Sequence, residues 1–403
     1  MGAEREKRNV ALGITGSIAA YKSAELARLL VKRGYNVSCI MTTEAAEFIS
    51  PLTMETITGR PVLIDIFDED AELGTSHIQL ADWADVLVIA PATANIIARI
   101  AHGLAECAVS TVALATKANI LVCPAMNVNM LNNPVTVENI EKLKALGVDI
   151  VDPEDGELAC GWEGLGRLAP PWEIFHRVRR SLSVHDFEGK HILVTTGPTR
   201  EAIDPVRFIS NRSSGKMGVA IAREAFRRGA TVELIHGPVP VRVPREVSTI
   251  PVVSALEMKQ EVMDRVLSNG NPPDVVIMAA AVADFRPATT SDVKVKKKDI
   301  ASSIPLLENP DILAEIGSAR KGDKPILVGF AVETGELEDL ISYVRDKLEK
   351  KNADIMVGNF ANEALELDTN RVWIINRAGR QDEVATTYKS RVANKILDAV
   401  LKL

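Results

Sequence analysis

The amino-acid sequence predicts an α/β protein built from two doubly wound domains. Its 403 residues exceed what one hydrophobic core commonly organises, which favours two cores. Short runs of β-branched and other apolar residues alternate with helical patterns, as in parallel strands that are covered on both faces. This alternation starts again near the middle of the chain, so we expect a second sheet to follow the first.

The first half contains four predicted strands and a clear first crossover helix. Residues 24–32 place alanine, leucine and valine side chains in helical register, and Gly34 lies just beyond them. A strand, a helix and a second strand in this order begin a parallel sheet. The predicted strands of this half are residues 10–15, 37–42, 86–90 and 120–123.

The pattern restarts after residues 181–189, and we place the boundary at residues 183–186. The predicted domains are therefore 1–183 and 187–403. Both halves begin with a strand that ends in a threonine–glycine turn, a likeness that is too short to establish duplication. The predicted strands of the second half are residues 192–196, 231–235, 275–279, 326–328 and 355–357.

Composition and charge exclude several classes of protein. The formal net charge of −7 argues against broad nucleic-acid binding, which needs a basic face. The charged N-terminus lacks the apolar core of a signal peptide, and no apolar run is long enough to cross a bilayer, so we expect no membrane association. The four cysteines, which form no CxxC pair, predict a reduced cytoplasmic protein; they are Cys39, Cys107, Cys123 and Cys160.

The first strand-to-helix turn predicts a mononucleotide site. Residues 13–19 have the spacing GxxGxxA rather than GxGxxG, and the second strand ends in Thr42 rather than an acid, which disfavours NAD. Gly16 and the Ser17 hydroxyl at a helix N-terminus suit the phosphate of a ligand such as FMN. A tight turn without a ligand is the alternative. The polar strand end at residues 90–95 favours the ligand, because ligands gather at the carboxyl ends of parallel strands.

Three further residues of the first half form a candidate reactive set. His77 precedes the third strand, Asn127 follows the fourth strand within Pro-Ala-Met-Asn, and Cys160 lies in the glycine-rich segment 156–168. A single histidine or cysteine is more often structural. The polar, glycine-rich surroundings of Cys160 are typical of a flap over a site. An amide, a thiol and an imidazole together suit redox or acid/base chemistry on a small organic substrate.

The segment 210–218, SNRSSGKMG, predicts an anion site in the second half. It is not a Walker A loop, because Ser210 replaces the first glycine and Met217 replaces the magnesium-binding hydroxyl. Ser213, Ser214 and Gly215, followed by Lys216, can instead form an anion-binding nest at a helix N-terminus. A plain capped helix is the alternative.

Two groups of lysines accompany this loop. The stretch 293–298 follows a buried strand and the segment 279–286, where a lysine loop could close on a triphosphate, although such a stretch is often only a solvated surface. Lys347, Lys350 and Lys351 could equally be the polar side of an amphipathic helix. Charge alone does not assign them.

The ordered set of motifs resembles the bifunctional phosphopantothenoylcysteine decarboxylase/phosphopantothenate–cysteine ligase family of coenzyme A biosynthesis. The resemblance covers nearly the whole chain, and the order of the motifs is more specific than any one of them. It implies two Rossmann-like domains, a flavodoxin-like FMN domain followed by a nucleotide-binding ligase domain. The motifs are SHIxLADWAD, PATAN, PAMN, ACGxxGxGRL, GPTREAIDPVRFISNRSSGKMG, AAAVADF, KVKKK, NPDI and VGFAVET.

For the second domain, the resemblance implies that CTP activates 4′-phosphopantothenate as an acyl-cytidylate and that cysteine then displaces CMP. It implies that Asn211 acts in the acyl-cytidylate step, that Lys294 contacts the CTP phosphates, and that Mg²⁺ or Mn²⁺ assists. Residues 213–216 are expected to bind the substrate phosphate. The expected nucleotide-site residues are Ala280, Ala281, Asp284, Lys294, Asn309, Pro310, Asp311, Ile312, Phe330, Lys347 and Lys351.

For the first domain, the resemblance implies FMN-dependent decarboxylation of the ligase product, because oxidation of the carbon bearing sulfur lets the departing carboxylate leave its electrons on a thioaldehyde. His77 is then the base, Asn127 binds the substrate carboxylate, and Cys160 donates a proton in the final reduction. The expected FMN contacts are Gly16, Ser17, Thr42, Thr93, Ser110 and Met126.

Two other functions remain as alternatives at this point. One is an NAD-dependent two-domain dehydrogenase, which the absent GxGxxG opposes. The other is a non-catalytic regulatory relative of the decarboxylase, which the joint presence of His77, Asn127 and Cys160 opposes. The resemblance also implies a homo-oligomer with trimeric FMN domains and dimeric ligase domains. The preference for CTP over ATP depends on the resemblance alone.

Overall fold

A computed structural model describes residues 8–66, 76–159, 161–267, 270–296, 303–320 and 322–403. The chain divides into two compact units, Met1–Ser183 and Val184–Leu403. The predicted fold class is confirmed, because each unit contains a parallel sheet with helices between its strands.

The first unit contains a five-stranded sheet in the order β2-β1-β3-β4-β5, and all of its pairings are parallel. This is the flavodoxin-like order, with the reversal of winding between β1 and β3. The strands are β1 (Asn9–Ile14), β2 (Asn36–Met41), β3 (Val86–Ala92), β4 (Asn119–Pro124) and β5 (Asp149–Ile150). The helices are α1 (Tyr21–Lys32), α2 (Thr43–Ala46), α3 (Pro51–Thr58), α4 (Ser76–Trp83), α5 (Ala94–His102), α6 (Ala108–Ala115), α7 (Val128–Leu131), α8 (Pro134–Ala145) and α9 (Pro171–Ser181).

The second unit contains an eight-stranded sheet in the order β10-β9-β6-β11-β14-β15-β16-β17. Its first six strands are parallel and follow the Rossmann winding order, whereas β16 and β17 are antiparallel additions. The strands are β6 (His191–Thr196), β7 (Arg200–Ala202), β8 (Phe208–Ser210), β9 (Thr231–His236), β10 (Ser248–Pro251), β11 (Val275–Met278), β12 (Phe285–Pro287), β13 (Leu306–Glu308), β14 (Ile326–Glu333), β15 (Ile355–Phe360), β16 (Thr369–Asn376) and β17 (Gln381–Tyr388). The helices are α10 (Lys216–Arg227), α11 (Ala255–Val266), α12 (Ile312–Ala319), α13 (Leu337–Lys350), α14 (Ala361–Ala364) and α15 (Lys389–Val400).

Both faces of each central sheet are covered, as the apolar strands require. In β1, Val10, Leu12 and Ile14 pack into one buried cluster, while Ala11 packs into another on the opposite face. The same separation occurs in β6, where Ile192 belongs to one cluster and Leu193 to the other. Burial on both faces explains why these strands appear in the sequence as continuous apolar runs.

The structure extends the predicted elements and adds to them. Strand β14 continues to Glu333, five residues beyond the predicted end. In addition, eight strands were not predicted: β5, β7, β8, β10, β12, β13, β16 and β17. Strand β17 is an exposed edge strand of mostly polar residues, so it lacks the apolar run from which the predicted strands were recognised.

Candidate active sites

The first candidate site lies where β1 and β3 end, at the reversal of winding in the five-stranded sheet. The Thr15 hydroxyl joins the two strand ends, because it donates to Pro91 O at 2.8 Å and accepts from Thr93 N at 3.1 Å. Gly16 follows directly, and a Cβ atom there would lie 2.5 Å from the Glu44 Cβ. Only glycine therefore fits this turn without displacing the neighbouring helix α2.

A cavity of about 870 Å³ opens at these strand ends. Five of the predicted residues line it: Gly16, Ser17, Thr93, Met126 and Asn127. Its remaining walls are partly apolar and come mainly from the start of α1 and from the glycine-rich segment; they include Ala19, Tyr21, Lys22, Leu158, Arg167 and Leu168.

Hydroxyl groups at this edge cap the local helices. Ser17 Oγ accepts from Ala19 N at 3.3 Å, and Thr93 Oγ1 accepts from Ile96 N at 3.4 Å. Thr42 caps α2, and the Ser110 hydroxyl hydrogen-bonds within the first turn of α6. Thr42 and Ser110 are buried and are not among the residues that line the cavity, so their contact with a ligand stays a prediction.

The glycine-rich segment folds back over the cavity as a hairpin-like flap. Gly156 and Gly164 exchange backbone hydrogen bonds at 3.2 and 3.1 Å, and Met126 N donates to Gly166 O at 3.0 Å. Ala159 and Gly161 both line the cavity. Cys160 itself lies outside the described residues, and its assignment stays a prediction.

His77 lies in the first turn of α4 and does not line the cavity. The end of α4 lies at the opposite edge of the sheet, where Trp83 O accepts from the Asn9 side chain at 3.0 Å, so its start points toward the edge that carries the site. His77 Nδ1 is buried and has no hydrogen-bond partner among the described residues.

The second candidate site lies where β6 and β11 end, at the reversal of winding in the eight-stranded sheet. The backbone of Ala280 donates to Thr195 Oγ1 at 3.3 Å, and Ala281 N donates to Gly197 O at 2.9 Å. These bonds hold the Ala280–Ala281 segment next to the Thr-Gly turn. Both candidate sites therefore occupy equivalent positions in their sheets.

A cavity of about 720 Å³ lies beside this edge. Asn211 lines it, and the Asn211 amide donates to Val282 O at 2.9 Å. Except for Lys294, all of the predicted nucleotide-site residues line the same cavity: Ala280, Ala281, Asp284, Asn309, Pro310, Asp311, Ile312, Phe330, Lys347 and Lys351.

The polar walls of this cavity are cross-linked. Asn309 Nδ2 donates to Ala283 O at 2.8 Å, and Asn309 Oδ1 accepts from Arg286 at 3.0 Å. Asp311 caps α12 and pairs with Lys351 at 3.0 Å. These contacts fix the position of the Asn-Pro-Asp-Ile segment before any ligand binds.

Lys294 is exposed and lies outside the cavity wall, on a segment that a buried carboxylate holds. Asp204 Oδ2 accepts from Val295 N at 3.2 Å and from Arg207 Nη2 at 2.5 Å, while Arg207 Nη2 also donates to Val295 O at 3.0 Å. The Arg207 guanidinium and the surrounding backbone N–H groups hold the pKa of Asp204 well below its usual range.

The SNRSSGKMG loop forms a turn onto α10, as predicted, and borders a smaller cavity of about 140 Å³. Ser213, Ser214, Gly215 and Lys216 line this cavity. Gly218 packs against β6 so closely that a Cβ atom would lie 2.4 Å from Thr196 Oγ1. The two cavities of the unit share four wall residues and are therefore adjacent; the shared residues are Ala280, Ala281, Phe330 and Val332.

The predicted anion ligand Lys216 already has an anionic partner. Its ammonium donates to Asp368 Oδ1 at 2.6 Å and to Glu366 O at 2.9 Å. The hydrogen bond to Lys216 lowers the pKa of the Asp368 carboxyl. A second lysine, Lys389, lines the same cavity and was not predicted.

No group of three or more histidine, cysteine, aspartate or glutamate side chains is arranged to hold a metal ion within the described part of the chain. No described helix is both long and apolar enough to cross a membrane.

Both halves of the chain match known families. Residues 2–183 match the family described as Flavoprotein, and residues 187–403 match the family described as DNA/pantothenate metabolism flavoprotein C-terminal domain. The coenzyme A biosynthesis bifunctional protein CoaBC of Haemophilus influenzae is 41% identical over 398 residues, which are 98% of this chain and 97% of that protein. The chain belongs to the CoaBC family. The family inferred from the ordered motifs is confirmed.

Other CoaBC relatives agree with this assignment. The Bacillus subtilis protein is 43% identical over 403 residues, covering 98% of this chain and 97% of the relative. The protein of Vibrio vulnificus strain YJ016 is 46% identical over 354 residues, covering 87% and 86%. Members of the CoaBC family are bifunctional enzymes of coenzyme A biosynthesis, and this chain is one of them. The dehydrogenase and the non-catalytic subunit are not favoured.

The structure adds several residues to the CoaBC sites that were not among the predicted site residues. Tyr343 and Phe285 line the larger cavity of the second unit and offer aromatic faces, and the Tyr343 ring lies 4.2 Å from the Lys347 ammonium. Tyr21 and Lys22 line the cavity of the first unit.

Proposed function

We propose that the chain ligates 4′-phosphopantothenate to cysteine with CTP and then decarboxylates the product to 4′-phosphopantetheine with FMN. The observation that carries this proposal is the clustering of predicted residues from distant motifs at the two points where the sheets reverse their winding. The two halves would then catalyse consecutive reactions, since the second domain makes what the first consumes.

In the ligase unit, the geometry supports activation of a carboxylate next to a bound nucleotide. The larger cavity would hold CTP between its aromatic and lysine walls, and the Asn211 amide would face the carboxylate that attacks the α-phosphate. Pyrophosphate leaves in this step. The cysteine amine then attacks the acyl carbon and CMP leaves. Mg²⁺ would arrive bound to the triphosphate, because this ion is commonly held through substrate phosphates.

The Asp204–Arg207 pair would position the Lys294 segment on the triphosphate. For Asp204→Asn, we expect ligase kcat/KM to fall roughly tenfold or more, because a misplacement of 1 Å can cost about 10²-fold. The pKa of Asp204 is lower in the folded protein than in the unfolded chain. The stabilisation from its charge is therefore fully present above the unfolded-state pKa, and it is lost only in strong acid, as the pH falls through the folded-state pKa. KM for CTP measures the effect. Asp292→Asn, on the same segment, is the matched control, and equal effects of the two variants would contradict the positioning role.

In the first unit, the residues present fit a flavin mononucleotide. Small-molecule pockets typically span about 300–1,000 Å³, and this cavity of about 870 Å³ combines apolar walls with the Gly16–Ser17 turn. Gly16 lets this turn pack closely against Glu44 of α2, and the backbone N–H groups and Ser17 hydroxyl of the turn would bind the phosphate. Gly16, Ser17, Thr93 and Met126 would hold the cofactor.

FMN, when bound, supplies a site that accepts and returns a hydride. His77 would remove the substrate thiol proton, Asn127 would bind the carboxylate that is lost, and Cys160 would deliver a proton to the product. Asn127 is suited to its role, because it lines the cavity and its side chain caps α7. His77 does not line the cavity of one chain, and the predicted trimer would bring it to a neighbouring site.

The cellular compartment and the oligomeric state are part of the same proposal. We expect a cytoplasmic homo-oligomer with trimeric FMN domains and dimeric ligase domains. The described cysteines Cys39, Cys107 and Cys123 are free thiols, which supports a reducing compartment.

A single experiment on the full chain tests the function. The purified protein is expected to be yellow, to release pyrophosphate from CTP when 4′-phosphopantothenate is present, and to release CO₂ once cysteine is added. Running the pyrophosphate assay with ATP instead of CTP tests the nucleotide preference. His77→Asn should stop CO₂ release, whereas Cys160→Ser should limit it to a single turnover per flavin, because it blocks only the reduction that follows decarboxylation; both variants should leave pyrophosphate release intact. Undiminished CO₂ release in both variants would defeat the mechanism, and a colourless protein with NADH-dependent turnover would defeat the proposed function.

A further inference from the structure

Lys389 is a buried cation for which the proposed chemistry has no role. It is the first residue of α15 and is 7% exposed. Its ammonium donates to Ala364 O at 2.8 Å and also to Leu367 O. Both acceptors are neutral carbonyl oxygens, one at the end of α14 and one in the loop that follows it, so the positive charge is held in place without being neutralised.

The charges near Lys389 leave it without a counterion. No carboxylate of the described residues lies within 4.0 Å of its ammonium; Asp368 attracts it only at longer range, because that carboxylate is paired with Lys216. Burial, followed by repulsion from Lys216, lowers the pKa of Lys389 to about 8. A buried charge is costly unless it is paired, so this site would be stabilised by an anion.

The cavity that Lys389 lines is suited to an anion. Its opposite wall is the Ser213–Gly215 loop, and α10 begins directly afterwards at Lys216. No side chain caps this helix, because the N-cap residue is Gly215. The N–H groups of its first turn and the positive end of its dipole therefore face the small cavity.

Asn370 adds a buried amide, unpaired within the described part of the chain, to the wall of this cavity, and this amide can turn to present either its oxygen or its N–H groups. The residue lines the cavity and is 2% exposed, and its Oδ1 atom has no hydrogen-bond partner among the described residues. Buried amides are normally satisfied. An irregularity in the pairing of β16 with β17 lies at Asn370, as bulges often do beside functional sites.

We infer that Lys389 and Asn370 complete a phosphate-binding site with the Ser213–Gly215 loop, and that Lys389 supplies its net positive charge. Lys216 contributes less, because Asp368 already pairs with it at 2.6 Å. A phosphate group can accept from the loop N–H groups, the Lys389 ammonium and the amide N–H of Asn370, which a rotation of the Asn370 side chain brings into the cavity. Identification of the phosphate's source rests on the proposed function: it belongs to 4′-phosphopantothenate or to CTP.

The first arm of the test measures binding of inorganic phosphate to the full chain by calorimetry, so it does not depend on turnover. We expect Lys389→Met to weaken phosphate binding at least about tenfold, the effect of losing one charge-assisted bond of 1.5–3 kcal/mol. Lys216→Met should weaken it less. Lys395→Met, on the same helix with its side chain 64% exposed, is the matched control and should bind as the unmodified chain does.

A second variant keeps the inference testable if Lys389→Met does not fold. Asn370→Asp places a carboxylate in the cavity with little change of shape and should also weaken phosphate binding at least tenfold, whereas Lys389→Arg should retain most of it. The inference is overturned if the unmodified chain binds no phosphate, or if Lys216→Met abolishes binding while Lys389→Met and Asn370→Asp leave it intact.

The second arm identifies the phosphate. In the ligase assay, the KM for one substrate should rise at least about tenfold in a folded Lys389 variant, and that substrate donates the phosphate group. If phosphate binding depends on Lys389 but the chain has no ligase activity, the anion site stands and the proposed function fails. If ligase activity is present and neither KM changes, the proposed function stands and the assignment of Lys389 fails.

Discussion

Replacing Asn211 with alanine should reduce the ligase rate by roughly 10²–10³-fold, the usual cost of removing one preorganised donor at a reacting centre. The Asn211 amide is already oriented, because Nδ2 donates to Val282 O at 2.9 Å within the wall of the larger cavity. No large rearrangement is needed for it to contact a carboxylate or an acyl-phosphate oxygen. Asn211→Asp should be equally inactive, since it replaces the donor with a repelling charge.

Measuring pyrophosphate release and amide-bond formation separately shows which of the two ligase steps the Asn211 substitution impairs. A loss in both steps indicates that formation of the acyl-cytidylate is impaired, whereas retained pyrophosphate release would move Asn211 to the second step. CO₂ release from phosphopantothenoylcysteine by the same chain is the control, because the first unit carries that reaction. Full ligase activity in Asn211→Ala would refute its catalytic assignment.

Replacing Gly16 with valine should yield a protein that no longer retains flavin and no longer releases CO₂. Its first added atom would lie 2.5 Å from Glu44 Cβ, so either α2 or the Gly16–Ser17 turn must move. Overpacking of this kind typically costs about 1–3 kcal/mol, which corresponds to roughly five- to 150-fold weaker flavin binding if the cost falls on the bound form.

Flavin absorbance per chain after gel filtration measures the outcome for Gly16→Val. Ser17→Ala is the comparison variant, because it removes one hydroxyl without adding volume and should lower flavin retention only modestly. Ligase activity should be unchanged in both variants. A yellow Gly16→Val protein with normal decarboxylation would show that this turn does not contact the cofactor.

The elements that the sequence predicted well are those whose signal is contiguous. The buried strands β1, β6 and β11 were recognisable because burial on both faces demands unbroken apolar runs. The Ala-Ala-Ala-Val-Ala-Asp-Phe and Asn-Pro-Asp-Ile motifs then fell on the cavity walls, since each follows a strand or begins a helix at the carboxyl edge.

The features that could not be predicted depend on tertiary packing. Lys389 begins an ordinary amphipathic helix, and only its burial in the cavity wall and the repulsion from Lys216 distinguish it from other lysines. The pairing of Lys216 with Asp368 joins residues 152 positions apart, so the sequence could not show that this lysine is already neutralised. Lys294 was expected at the nucleotide site, but its approach depends on where the Asp204–Arg207 pair holds the segment.

The two antiparallel strands of the second unit are more than an extension of its sheet. Six parallel strands already complete the Rossmann order, yet Asn370 lies on β16, and Lys389 begins the helix that follows β17. A relative or an engineered fragment that stopped after β15 would lose one wall of the small cavity and also the buried residues that β16 and α15 add to the core of the unit. The C-terminal hairpin and helix therefore limit how far this enzyme can be shortened.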